Sequence, residues 1–177
     1  GRFDGLNEYG LWVSMTAGNP GPNLPSTPGF RFWALIRTIL DRCHTVEEAI
    51  EITSSFPLAF HLILLVAEKT GKAALIEKSP DQQIVRRIET GFIHSTNHYT
   101  LAGMHRYNRE IFDHSQKRYD FIKTALGKEK QSPETVRKIL ASSFPEGLSC
   151  HYFTEGLGTL WSMYADLTDG TLQVCFG

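Results

Sequence analysis

Few places in this chain combine residue types that can do chemistry. The densest is His94-Ser95-Thr96-Asn97-His98. On a helix, histidines four apart would form a zinc-binding pair. The flanks Gly91-Phe92-Ile93 and Tyr99 instead predict a strand from Gly91 to Tyr99, on which His94 and His98 share a face about 13 Å apart. That separation is too great for one metal ion, and no nearby Cys or acidic residue completes a site, so no metal is expected. Asn97 falls on the opposite face, in step with Ser95 and Tyr99. Asparagine is disfavoured in strands, which leaves two readings. One is a local hydrogen bond to a turn. The other is an amide donor aimed at a developing oxyanion, where one such donor is worth roughly 3–4 kcal/mol.

Cys150-His151 places a thiol beside a base. Adjacent residues of an extended segment point to opposite faces, so the pair reads as a buried Cys next to an exposed His, not as a nucleophile with its base. Cys43 falls at a helix end and Cys175 near the chain end, neither with a visible partner. The three cysteines form an odd set without metal-ligand spacing, which fits a reduced, cytoplasm-like setting and leaves a single disulfide open. No Ser-His-Asp arrangement and no Gly-rich phosphate loop before a helix is present, so no cofactor is expected. Arg118, between Lys117 and Lys123, reads from its neighbours as an exposed helical charge.

The elements that must carry these residues are legible in the hydrophobic periods. A strand is predicted over Leu11–Met15, followed by a proline-rich stretch, Gly18 to Gly29, that can be neither central strand nor helix interior. That stretch is either a connector or a loop shaping a pocket mouth. Phe32, Leu35, Ile36, Ile39 and Leu40 predict an amphipathic helix over Phe30–Arg42. Thr45-Val46-Glu47-Glu48 is a capping box that starts a second helix, Val46–Ser54. The apolar run His61–Ala67, the turn Thr70-Gly71 and the segment Lys72–Glu77 predict a hairpin, with a further strand at Gln83–Ile88. A helical region spans Arg106–Gly127, and Ser132-Pro133-Glu134 opens another helix. Two last strands, Gly158–Leu167 and Thr171–Phe176, are joined by Thr168-Asp169-Gly170. Two groups of strands separated by helices make an α+β domain, taken as one domain over 1–177.

Composition narrows the function classes. The 177 residues are 41% hydrophobic and 21% charged, with a formal net charge of -1. Without a basic run, neither nucleic acid nor an anionic membrane is an expected partner. The longest apolar stretch, Leu62 to Ala67, is too short to span a bilayer. Gly1-Arg2-Phe3-Asp4 shows no signal or transit peptide and no initiator Met, and the chain is expected to be a cytoplasmic fragment or processing product.

Several separated segments, in order, resemble one family. Asp4-Gly5-Leu6-Asn7-Glu8-Tyr9-Gly10-Leu11 resembles the D-G-(M/L)-N-E-x-G-L segment of the acyl-coenzyme A:6-aminopenicillanic acid acyltransferase family and its choloylglycine (bile salt) hydrolase relatives. The helix pair Ile36 to Ile52, with its T-V-E-E-A start, and the hairpin His61 to Glu77 are similar to segments that follow it. So are Thr96-Asn97-His98, Ser115-Gln116-Lys117-Arg118-Tyr119 and Gly158-Thr159-Leu160-Trp161-Ser162. The resemblance implies an N-terminal-nucleophile hydrolase: a four-layer αββα sandwich, here incomplete at the N-terminus. It also implies a catalytic Cys freed as first residue by autoproteolysis, whose own α-amine takes the thiol proton. By the same resemblance Asn97 supplies the oxyanion donor and Arg118 supports the thiolate, and the substrate is a small acyl amide. The family's nucleophile precedes the segment that begins at Asp4, so these 177 residues alone are expected to be inactive. The alternatives are a non-catalytic scaffold that binds a small acyl compound, or a fragment that self-associates through open sheet edges. The partner is accordingly a missing N-terminal chain or a second copy.

Overall fold

The computed structural model describes residues 3–18, 28–108, 111–127 and 131–176. These residues divide into two compact units, Gly1–Ile111 and Phe112–Gly177.

The first unit is a five-stranded antiparallel sheet with helices on one face. Its strands β1 (Asp4–Leu6), β2 (Leu11–Ala17), β3 (Leu62–Glu68), β4 (Ala73–Lys78) and β5 (Gln83–Ile88) pair in chain order. Between β2 and β3 the chain forms α1 (Phe32–Arg42) and α2 (Val46–Ser55). Alternation assigns the two faces. Leu11, Val13, Leu62, Leu64, Val66, Ala74 and Ile76 join Leu35, Ile36, Ile39, Leu40, Val46 and Ala49 of the helices in the larger core. Each fully buried Leu or Ile of that core contributes roughly 1.5–3 kcal/mol. The intervening residues Ile63 and Leu75 face the other way, where Tyr99 and Met104 cover them. Strand β3 reads as a continuous apolar run because both its faces are buried.

The capping box forms with one difference. Thr45 Oγ1 accepts from the Glu48 amide at 3.2 Å, while Glu48 reaches past the cap to the His44 amide at 2.6 Å. A second carboxylate, Glu68 at the end of β3, accepts from the Val46 amide at 2.7 Å, an N-terminal helix donor with no partner inside the helix. The Asp4–Leu11 segment also has a packing rationale. Asn7 donates to the carbonyls of Leu40 (3.2 Å) and Cys43 (2.7 Å) at the end of α1 and accepts from Leu11 N (2.9 Å). A Cβ on Gly5 would lie 2.8 Å from Leu40 Cδ1, so glycine there allows the helix to approach the strand.

The second unit contains α3 (Asp113–Leu126), α4 (Pro133–Ala141), the two-residue strands β6 (His151–Tyr152) and β7 (Leu157–Gly158), and a hairpin of β8 (Trp161–Asp166) and β9 (Thr171–Phe176). Helix α4 lies on the hairpin, with Arg137 over the Tyr164 ring and donating to Gln173 at 2.9 Å. Ser132 caps α4 through the Thr135 amide, and Pro133 occupies its first position. Both units mix sheet and helix, and the α+β class holds.

Three expectations are corrected. Gly91–Tyr99 is not a strand; it crosses the second face of the sheet as an irregular segment, and side chains take up its backbone hydrogen bonds. The helical region from Arg106 resolves into a 3-10 turn at His105–Tyr107 and α3, which starts only at Asp113. The strand expected from Gly158 begins at Trp161. Of the proline-rich stretch, residues 19–27 lie outside the described residues. Among the described residues no helix is long and apolar enough to cross a membrane.

Candidate active site

The irregular segment carrying Asn97 is tied down from Thr96 onward. Upstream, Thr16 Oγ1 of β2 donates to the Thr96 carbonyl at 2.8 Å. The Asn97 side chain, half-buried, donates through Nδ2 to the Ala17 carbonyl at 3.2 Å. Downstream, Asn108 brackets Tyr99 as a strand neighbour would, accepting from its amide at 2.9 Å and donating to its carbonyl at 2.8 Å.

Tyr99 itself is a buried anchor. Its hydroxyl donates to the Lys78 carbonyl at the end of β4 (2.6 Å) and lies 3.3 Å from His61 Nδ1. The ring leaves no room at Gly18, where a Cβ would meet Tyr99 Cζ at 2.9 Å. Burial, with the Glu77 charge nearby, pushes the phenol far above its ordinary range, so it stays protonated and donates.

Glu77, in β4, is fully buried on the same face as Leu75. Its Oε1 accepts from the Thr100 amide (2.6 Å) and hydroxyl (2.9 Å), and its Oε2 from the Leu101 amide (3.0 Å). Desolvation raises its pKa and these hydrogen bonds oppose the rise. All three neighbours donate, so the carboxylate is the form they complement.

Because the segment is not a strand, the face assignments made for it do not hold. His98 is buried with Nδ1 3.2 Å from Thr96 Oγ1, and His94 is half-buried against Phe92. Asn97 is oriented by its bond to the end of β2, not by strand alternation.

Arg118 belongs to the second unit and Asn97 to the first. Arg118 is not the exposed charge that its lysine neighbours suggest. It is half-buried on α3, with Nε donating to the His114 carbonyl at 3.1 Å and Nη2 3.2 Å from His114 Nδ1. Burial lowers its pKa and the nearby Cys150 opposes that shift; a guanidinium remains charged all the same. Burial, then the Arg118 charge, holds His114 below its ordinary pKa.

The cysteines are all free thiols. Cys43 is buried at the end of α1, its pKa pushed up to about 11 by desolvation and by Glu48. Cys150 is buried and His151 beside it is exposed, as alternation requires. Cys175 is exposed on β9. Among the described residues no three His, Cys, Asp or Glu side chains are grouped to hold a metal ion.

Reading the sequence did not single out Glu77, Tyr99, His61, Asn108 or Gly18. One signal was available: a glutamate that follows the apolar run Ala73 to Ile76, on the Leu75 face of the strand, is a buried charge, and buried charges have partners.

Comparison with known proteins gives a family match along the full length. The profile of acyl-coenzyme A:6-aminopenicillanic acid acyl-transferase matches residues 1–177. Among solved structures, penicillin V acylase from Agrobacterium tumefaciens is similar, with 26% identity and a TM-score of 0.38. That similarity covers 48% of this chain and 28% of the acylase chain. No curated protein matches.

Proposed function

Since the chain belongs to the acyl-coenzyme A:6-aminopenicillanic acid acyltransferase family, we propose that it is the larger part of an enzyme that cleaves or transfers the acyl group of a small linear amide. The nucleophile is an N-terminal cysteine contributed by polypeptide outside these 177 residues. The family match over 1–177 carries this reading. The thiols present support it by default: Cys43 is a poor thiolate, Cys150 is buried, and Cys175 lies on an exposed strand with no base described beside it.

The chemistry follows from the groups. The α-amine, which titrates near pH 8, accepts the thiol proton. The thiolate adds to the amide carbonyl and the oxygen gains a negative charge. Collapse breaks the C–N bond, the amine leaves with the proton, and an acyl-thioester remains. Water or a second amine then takes the acyl group and regenerates the thiol.

Asn97 is the proposed oxyanion donor. Its Nδ2 donates to the Ala17 carbonyl, a bond that fixes the plane of the amide. Arg118, a fixed positive charge, is proposed to favour the thiolate. Asn97→Ala in the full-length protein should lower kcat by about 10²-fold or more on an acyl amide that the wild type cleaves. An unchanged rate would remove Asn97 from the mechanism.

Strand β9 supports a second element of the reading. It is exposed throughout, has no charged residue and no proline, and so lacks the usual protections of a sheet edge. A further strand, from the missing N-terminal part or from a second copy, is the proposed neighbour. Light scattering of the 177-residue chain would show association, and a clean monomer would oppose the second-copy form.

A further inference from the structure

Position 77 lies among apolar neighbours on the second face of the sheet. Its strand neighbours across the ladder are Ile63 and Ile84, and Leu75 precedes it on the same face. Burying a carboxylate there costs several kcal/mol before its partners are counted. A leucine would fill the site without that cost. What a leucine cannot do is accept from the amides of two consecutive residues, Thr100 and Leu101, in a segment that belongs to no ladder and no helix. The carboxylate therefore sets where the backbone of the segment lies, a restraint that packing alone does not supply.

The catalytic amide of the proposed function sits three residues upstream of that attachment. From Thr96 to Leu101 the chain is held at one end by Thr16 and at the other by Glu77, with Tyr99 pinned to Lys78 between them. Three residues span at most about 10 Å, so the attachment at Thr100 is one of the restraints nearest to residue 97 along the chain. The fixed donor geometry that an oxyanion hole needs is thus built from the sheet upward.

We propose that Glu77 is a positioning residue for catalysis: through the Thr100 and Leu101 amides it holds the segment that presents Asn97 to the developing oxyanion. This rests on the amide-cleavage reading given above. It extends that reading to a residue on another element that touches neither substrate nor nucleophile.

The test uses the full-length protein with a hexanoyl p-nitroanilide probe, and compares N97A, E77Q and T100V. Glu77→Gln keeps the shape but turns an amide donor toward either Thr100 or Leu101. Thr100→Val removes one of the three donors and none of the backbone ones. Glu77→Gln should lower kcat about tenfold or more with KM within about twofold, since a small misplacement costs turnover more than binding. Hydrogen exchange should accelerate at the Thr100 and Leu101 amides while the α1 and α2 amides keep their protection. Thr100→Val should shift kcat in the same direction by less, and it decides the matter if Glu77→Gln fails to fold. A normal kcat in both variants, with N97A impaired, would overturn the positioning role and leave the amide-cleavage reading standing. A normal rate in N97A would overturn both, because the donor that Glu77 positions would then do no catalysis.

Discussion

Removing a single oxygen at Tyr99 probes how the sheet holds the segment that carries Asn97. In Tyr99→Phe the ring still fills the space beside Gly18 and still packs on Ile63, Leu75 and Met104. What disappears is the donor to the Lys78 carbonyl at 2.6 Å and the hydroxyl that lies 3.3 Å from His61 Nδ1. Leaving a buried polar group without its partner costs about 1–3 kcal/mol. The phenol's own desolvation is no longer required in the variant, which offsets part of the loss, so the expected destabilisation is about 2 kcal/mol. In a protein of this size that corresponds to a fall in melting temperature of roughly 4–8 °C. Urea unfolding of the purified protein, with the slope unchanged, is the direct measurement. A loss below about 0.5 kcal/mol would refute the reasoning, because it would mean that water or a neighbouring group satisfies the Lys78 carbonyl in place of the phenol.

Gly18→Ala should destabilise by about 1–3 kcal/mol, since the new methyl meets a ring that cannot withdraw, and thermal unfolding checks it. Alkylation by iodoacetamide at pH 8, mapped by mass spectrometry, should modify Cys175 quickly and spare Cys43, whose pKa of about 11 leaves little thiolate even when the reagent reaches it. His114, held below its unfolded value of 6.5, binds its proton in the unfolded chain first as pH falls. Stability should therefore be lost as pH drops below about 6.5 and level off below the folded pKa, and His114→Gln should flatten that part of the urea-midpoint profile.

Much of the first unit was legible because its elements are locally determined. Thr45 and Glu48 mark the start of α2 whatever surrounds them, and the period of Leu35, Ile36, Ile39 and Leu40 admits only a helix. Strand β5 was read to its ends. The segment from Gly91 was misread because its composition is strand-like while its hydrogen-bond partners are side chains remote in sequence. The reading of Arg118 as an exposed charge failed for a related reason: charges beside it in sequence said nothing of the burial around it.

By itself the sequence determined the α+β class, the helical and hairpin elements and the family, since these rest on periodicity, caps, turns and ordered motifs within short stretches of chain. Tertiary structure alone decided how Asn97 is held. Glu77 lies 20 residues from it and Ala17 lies 80 residues from it, and no local pattern can announce that a buried carboxylate, a phenol and a missing Cβ will meet on one sheet face.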